Sequence, residues 1–305
     1  MNTQRTVLLA GGSGVFGRRI VRTLSGAGYE VLGLGRGEGN AVRADLNDRD
    51  QLLRAVRGTH ADIVVHAATA LAKPPMRNKD MTATDRLRTT GMRNLVEAAQ
   101  EVGAKQLISE SMVFGYGFRD FGSTPVTEDM PFAPRQSDPA LEEHIAAMRV
   151  KEQLTFGTPG IDGVALRFGL FYGPGATEYV VTMLRKRMLP AITSGHRILP
   201  WIHLDDAASA ILAAIERGRP GAAYNIADDT AMSFADHIRA VATAFHTPRP
   251  LSVPASIMPM SYLRAFMKTN MTLATGRAKS ELGWRPDYPS AVDGLAALAG
   301  AAVPG

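Results

Sequence analysis

The sequence has no cysteine, and it also lacks long apolar runs and blocks of like charge. Without cysteine there is no disulfide framework and no thiolate chemistry, which fits a reducing compartment, so we expect a cytoplasmic protein. No apolar run approaches the length that crosses a bilayer, and the short run after Arg5 leads directly into glycines rather than a signal-peptide cleavage site. We therefore expect no membrane as a partner.

Concentrated positive charge is also missing, although the formal net charge is +5. The basic residues are scattered, and the densest cluster is only Arg185, Lys186 and Arg187. This charge suits an anionic small molecule or simple solubility, and the absence of a basic run with interleaved aromatics indicates no nucleic-acid partner. No histidine stands at a metal-ligand spacing with carboxylates, so we expect no metal site.

Short β-branched apolar runs alternate with amphipathic helical stretches along the first half of the chain. RTVLLA, YEVLGLG, ADIVVHAA, KQLISES and GVALRFG are typical of buried strands, with helical spacing between them. Parallel neighbours need a crossover, usually a helix, so this order predicts an α/β fold with a Rossmann-type doubly wound parallel sheet. We assign residues 1–170 and 198–245 to it, and residues 171–197 and 246–305 to a smaller, mainly helical C-terminal substrate lobe.

The glycine-rich stretch AGGSGVFGRRI follows the first strand and opens the first helix. Glycine is needed where a turn takes strained dihedrals and where backbone approaches a pyrophosphate, and the helix start offers free N–H groups. A bare strand-to-helix turn is the alternative, but the coincidence of strand, motif and helix favours phosphate binding. The predicted cofactor-binding residues are Gly11, Ser13, Gly14, Val15, Phe16, Gly17, Arg36, Asp45, Leu46, Ala67 and Ala68.

Two residues in that set bear on the choice of cofactor. The second strand ends in LGLGRG, where an acidic residue would hold a ribose 2′-hydroxyl; Arg36 stands there instead and is placed to meet a 2′-phosphate. The cofactor expected is thus NADP, with NAD as the alternative. Asp45 is placed to reach the adenine amine or to cap the next helix.

The chain resembles the extended short-chain dehydrogenase/reductase family, of the NAD-dependent epimerase/dehydratase type. The stretches that carry this resemblance are GGSGVFG, VVHAA, NLVEAAQEVGAKQLI, SESMVFG, LRFGLFYGPG, WIHLDDAASAI, YNIADD and KSELGWRP. Their order and spacing together are specific. The resemblance implies a nicotinamide cofactor in the large lobe and a variable small-molecule substrate in the other; a second copy of the chain is a further partner left open.

The same resemblance implies a catalytic set of Ser or Thr, then Tyr and Lys four residues apart on a helix. Aligned on Phe114–Gly115 and on the helix end, those positions hold Glu110, His144 and Met148. Ser111 is the fallback hydroxyl, and Lys151 on the same helical face is a candidate to recover the lost cation. The catalytic candidates are therefore His144, Glu110, Ser111 and Lys151.

Three functions stay open at this stage. The first is NADP(H)-dependent carbonyl reduction or epimerisation of a sugar nucleotide or a natural-product intermediate, with His144 in the tyrosine role. The second is a non-redox cyclase, isomerase or dehydratase in which Glu110 and His144 form an acid–base pair. The third is a catalytically silent nucleotide sensor.

The substrate is equally open, because the expected lobe carries two kinds of side chain. Methionines and aromatics suit a bulky pocket or a small core: Met183, Met188, Met258, Met260, Met267, Met271, Tyr179, Tyr262 and Phe266. Basic residues suit a sugar-nucleotide diphosphate: Arg185, Lys186, Arg197, Arg264 and Arg277. Outside this set, His203, Asp205 and Asp206 resemble a family segment at the lobe junction, which implies that they position the lobes and cap the following helix; we expect His66 to be a core or near-cofactor residue.

Overall fold

A seven-stranded parallel sheet forms the centre of the protein. The computed structural model describes residues 4–71, 73–257 and 261–301. The strands are β1 Thr6–Ala10, β2 Glu30–Gly35, β3 Val42–Arg43, β4 Ile63–His66, β5 Gln106–Met112, β6 Asp162–Phe168, β7 Leu170–Tyr172, β8 Ala191–Thr193, β9 Trp201–His203, β10 Ala223–Ile226 and β11 Ser252–Pro254. The order of strands in the large sheet is β10-β6-β5-β4-β1-β2-β3. Every pairing in this sheet is parallel, so the predicted doubly wound sheet is confirmed.

Helices connect these strands and cover both faces of the large sheet. They are α1 Val15–Gly26, α2 Arg49–Val56, α3 Thr82–Arg86, α4 Met92–Glu101, α5 Pro139–Gly157, α6 Thr177–Arg185, α7 Leu204–Arg217, α8 Phe234–Ala244, α9 Ser261–Lys268, α10 Gly276–Glu281 and α11 Ala291–Ala301. A π-helical turn, Leu87–Gly91, joins α3 to α4. Of the helices in the described ranges, none is long and apolar enough to cross a membrane.

The strand β1 shows why the sequences of the buried strands are unbroken apolar runs. Its five residues are all buried: Val7 and Leu9 pack with Ile20 and Leu24 of α1, while Leu8 faces the core formed with α2 and α4. Because a parallel sheet is covered on both faces, side chains pointing either way must be apolar.

The helix α5 lies over β5 and β6 and carries the candidate catalytic positions. It begins after Asp138, whose Oδ1 accepts the N–H of Ala140 at 3.0 Å, and Pro139 occupies the first turn, where a missing N–H costs nothing. Its buried residues include His144, Met148 and Lys151.

Beyond the sheet, β7 pairs with β9 and β8 pairs with β11. Tyr172, Leu184, Trp201, Val241 and Leu295 belong to one apolar cluster that joins these elements to α6, α8 and α11. The helix α8 lies in the part of the sequence assigned to the large domain, yet it packs on α6, β8 and α11. The residue boundaries between the two lobes stay a prediction.

Candidate active site

The turn between β1 and α1 is too tight for side chains. Gly11 has φ of +94°, and a Cβ added there would lie 2.8 Å from the Ala67 carbonyl oxygen and from Ala68 Cα. A Cβ on Gly17 would collide with the Gly11 carbonyl. These contacts place the ends of β1, β4 and the start of α1 against one another, leaving a cradle of backbone that a side chain would fill.

The start of α1 offers free N–H groups at this cradle. Gly14 is the N-cap and provides no side-chain cap, so the first-turn donors have no partner within the helix. The Ser13 carbonyl accepts from Arg18 at 2.6 Å, Phe16 packs edge-on against Phe168, and Val15 lies under Gly175. Free donors and the helix dipole fit the pyrophosphate of a dinucleotide.

The residues expected at the adenosine end lie where β2 and β3 finish. The Arg36 side chain is exposed and has no ion-pair partner in the part of the chain that the structure describes. Asp45 Oδ1 accepts the Asn47 N–H at 2.9 Å, while Asp48 accepts from Gln51 and caps α2. The capping role left open for Asp45 thus belongs to Asp48. Leu46 is buried, and its carbonyl accepts from Asn94 at 2.7 Å.

His144, at the expected tyrosine position, belongs to a buried hydrogen-bonded pair. Its side chain is 2% exposed, and Nδ1 lies 2.5 Å from Asp85 Oδ2. Asp85 also accepts from Arg88 at 3.2 Å. The Nε2 atom of His144 is buried without a hydrogen-bond partner. When the ring is neutral, Nδ1 carries the proton donated to Asp85 and Nε2 carries a lone pair.

Asp85 is a site residue that the sequence analysis missed. It lies on α3, 59 positions before His144, and nothing in the local pattern of TATDR distinguishes it from a helix surface residue. One sign is available only in the structure: the π-helical turn that begins at Leu87, since such turns occur often at functional sites.

Glu110 and Lys151 form a second buried pair, with Lys151 Nζ 2.8 Å from Glu110 Oε2. Burial by itself would raise the pKa of Glu110, but the cations of Lys151 and Arg88 more than offset it, so that this pKa lies below its ordinary value. Burial lowers the pKa of Lys151 despite the facing carboxylate. Among the described residues no hydrogen bond joins Glu110 to His144; His144 is bound to Asp85, and Glu110 is bound to Lys151.

Ser111 donates to Glu152 at 2.7 Å, and Glu152 also receives two hydrogen bonds from Arg167. This network is buried between α5 and β6, and it also includes Tyr116, whose hydroxyl accepts from Arg167 at 2.8 Å. Burial raises the pKa of Tyr116 to about 12. The catalytic roles of His144, Glu110, Ser111 and Lys151 stay predictions.

The methionines and basic residues of the second lobe do not gather at one place. Met267 and Met271 are buried core residues, Met188 is exposed, and Met258 and Met260 lie outside the described residues. Arg277 pairs with Asp129, whereas Arg264 lines a groove beside α5. Of the two alternatives for the methionines, a substrate pocket or a small apolar core, the small core therefore applies to Met267 and Met271.

The histidines expected to be structural lie in packed positions. His203 caps α7 by accepting the Asp205 N–H at 3.2 Å, which confirms the capping prediction for His203 but not for Asp206. Asp206 accepts the N–H groups of Asp287 and Tyr288 and so holds the C-terminal segment against α7. His66 is fully buried, and burial lowers its pKa to about 3.

A profile of the NAD-dependent epimerase/dehydratase family matches residues 7–227. The chain belongs to this family. It is 34% identical over 308 residues to a 3-diazoavenalumate denitrifying reductase from a Streptomyces species, covering 95% of this chain and 98% of that protein. It is also 26% identical to a probable dTDP-glucose 4,6-dehydratase of Sinorhizobium fredii, covering 72% and 70% of the two chains.

Solved structures of this family share the fold. UDP-glucose 4-epimerase of Thermotoga maritima, solved with UDP-glucose, superposes with a TM-score of 0.78 at 18% identity and covers 97% of each chain. A dTDP-glucose 4,6-dehydratase of Streptomyces venezuelae, solved with NAD bound, gives 0.77 at 22% identity, covering 96% of this chain and 95% of that one. The predicted resemblance and the Rossmann-type fold are confirmed.

The protein is thus an enzyme of the oxidoreductase and epimerase type that works with a nicotinamide dinucleotide. Its cofactor cradle fits that assignment, since Gly11 and Gly17 leave no room for side chains and the start of α1 is uncapped. His144 and the uncharged Met148, which the sequence analysis expects at the family's tyrosine and lysine positions, are 2% and 3% exposed. We therefore expect the difference from the family's catalytic residues to affect proton transfer to the substrate and not the binding of the cofactor.

Proposed function

We propose that the protein is an NADP(H)-dependent reductase that converts an aryl diazonium carboxylate, the cationic form of a diazo group, to the corresponding C–H compound with loss of N₂. The proposal is carried by the buried pair of His144 and Asp85 beside the uncharged Met148, together with the expectation that His144 and Met148 occupy the family's tyrosine and lysine positions. Neither provides the phenol and ammonium with which the family protonates an oxygen.

The missing groups are needed for carbonyl substrates. The bound cofactor supplies a hydride. A carbonyl that accepts a hydride becomes an alkoxide and requires a proton, which general acids typically accelerate by about 10²- to 10⁴-fold. A diazonium group that accepts a hydride at its terminal nitrogen becomes a neutral diazene. The diazene then loses N₂ while its hydrogen is retained on carbon, so no oxyanion forms and no general acid is required.

The charges around the site also suit an electron-poor diazo group. Met148 replaces a cation that would repel a positively charged substrate. His144 presents an Nε2 lone pair while its Nδ1 is bound to Asp85. The chain's own residues would therefore orient and stabilise the cationic group, with His144 acting through its Nε2 lone pair and its position rather than by proton donation.

The relative at 34% identity supports this choice because its name describes a reductase that removes nitrogen from a diazo carboxylate. The aromatic side chains of Phe114, Phe118 and Tyr262 near His144 suit a planar, unsaturated carbon skeleton. For the cofactor, the exposed Arg36 favours the 2′-phosphate of NADP. The non-redox alternative would need Glu110 as its acid or base, but Glu110 is bound to Lys151 and has a lowered pKa.

The test uses ¹⁵N₂-labelled benzenediazonium carrying a carboxylate, with the enzyme and NADPH. We expect one labelled N₂ released and one C–H product formed for each NADPH oxidised, above the rate without enzyme, and slower turnover with NADH. Release of N₂ without NADPH oxidation would overturn the redox assignment.

The variant His144→Phe separates the proposed role from proton transfer. We expect kcat/KM for the diazo substrate to fall about tenfold with an unchanged pH profile, less than a lost general acid would cause. A loss of a thousandfold, together with rapid reduction of ketones by the wild type, would instead assign His144 the tyrosine role in carbonyl reduction.

A further inference from the structure

A groove of about 450 Å³ lies between the first turn of α5 and α9, and the proposed function leaves it unassigned. Phe118 and Leu141 form its apolar part, and Arg264 and Lys268 of α9 form its basic part. The inference drawn from it rests on the proposed function, because it concerns how the same substrate is recognised.

Aromatic contacts connect this groove to His144. The ring of Phe118 stacks on Phe114 with centroids 5.2 Å apart and a 9° interplanar angle. Phe118 also meets the edge of Tyr262 at 5.8 Å, and Tyr262 in turn meets His144 at 5.5 Å. A planar substrate lying along Phe118 would therefore be separated from His144 by the ring of Tyr262.

The two cations of the groove are available for an anion. Arg264 and Lys268 are four residues apart and so lie on one face of α9. Both are exposed, and neither has an ion-pair partner among residues 4–71, 73–257 and 261–301. The Lys268 carbonyl accepts from Arg197 at 3.1 Å, which fixes the end of this helix.

One acidic group, Asp138, also lines the groove. Its Oδ1 accepts the N–H of Ala140, and it stands at the start of α5, where the helix dipole offsets negative charge. The groove thus carries two cations that have no ion-pair partner in the described ranges and one carboxylate that caps α5. Its net charge is positive, which favours an anionic ligand.

We propose that Arg264 and Lys268 bind the substrate carboxylate while its unsaturated skeleton stacks on Phe118. This gives the enzyme specificity for carboxylic acids over neutral analogues, because a guanidinium and a carboxylate form two charge-assisted hydrogen bonds. The substrate class is then a flat acid whose diazo group is distant from its carboxylate.

Calorimetric titration of the NADPH-bound enzyme with cinnamate and with cinnamamide tests the groove. We expect cinnamate to bind at least about tenfold more tightly, and Arg264→Gln and Lys268→Gln each to weaken cinnamate severalfold without changing cinnamamide. Arg249→Gln is the matched control, an exposed arginine in a separate groove with Arg239 and His246, and should leave both affinities unchanged. Equal binding of the two probes, or a double Arg264→Gln/Lys268→Gln variant that keeps the preference, would overturn the proposal.

Because cinnamate has no diazo group, its binding does not depend on reduction. A preference for cinnamate with no N₂ release from the diazo acid would retain the carboxylate site and reject the proposed reaction. The converse, N₂ release with KM unaffected by Arg264→Gln, would retain the reaction and reject this site.

Discussion

Replacing Glu110 by glutamine should destabilise the protein strongly, because it leaves the charge of Lys151 without its carboxylate. The Lys151 side chain is 1% exposed and Glu110 is 13% exposed, so water cannot replace the lost partner. At the 2.8 Å separation of Nζ and Oε2, the attraction is about 6 kcal/mol at an effective dielectric of about 20. The amide introduced by the substitution would retain one hydrogen bond, so we expect a loss of about 3 kcal/mol, the lower end of what breaking a buried pair costs.

The assay is urea unfolding followed by tryptophan fluorescence at pH 7. Glu110→Gln/Lys151→Met removes both charges and should recover most of the loss, because apolar groups can replace a buried pair at little cost. Glu97→Gln breaks the exposed pair with Arg49 and should leave the unfolding midpoint almost unchanged. The loss in Glu110→Gln should shrink as the pH rises, because burial lowers the pKa of Lys151 and an ammonium without its carboxylate gives up its proton more readily.

Equal stability of Glu110→Gln and the wild type would refute this reasoning, as would a double variant no more stable than the single one. The result also bears on function. If Glu110→Gln loses activity only where it is partly unfolded, its effect is structural; a loss at temperatures where it stays folded would support a catalytic Glu110.

Three further predictions concern other parts of the molecule. Gly17→Ala should abolish NADPH binding measured by fluorescence, because its Cβ would meet the Gly11 carbonyl, whereas Gly26→Ala in the same helix has nothing within 4 Å of its Cβ and should bind normally. Arg36→Gln should weaken NADPH about tenfold and leave NADH unchanged; equal weakening of both would contradict the 2′-phosphate role. Burial raises the pKa of Asp228 to about 8, so the folded state binds its proton more tightly than the unfolded chain. That contribution is complete below about pH 4 and is lost as the pH rises to about 8, so wild-type stability should fall over this range by up to about 1.4 kcal/mol per pH unit from this group. Asp228→Asn should show a smaller fall, and an identical pH profile would count against the shift.

Much of the fold follows from local pattern. The buried runs of β1, β4 and β5 and the amphipathic stretches between them specify a parallel sheet, since each face of each strand needs an apolar cover. The glycines at positions 11, 14 and 17 specify the turn, because backbone dihedrals and close approach act within a few residues. Because these features depend on residues close together in the sequence, the sequence alone determined the family, the fold and the location of the cofactor cradle.

The partners of the charged residues were decided only by the tertiary structure. Lys151 lies one turn beyond Met148 and was expected to replace its cation, yet its Nζ binds Glu110, 41 positions away. His144 binds Asp85, 59 positions away, and its Nε2 remains without a partner. The packing of the folded chain decides which partner lies close enough to bind a buried charged or polar side chain. The spacing of residues along the chain does not contain the distances between residues that are far apart in sequence.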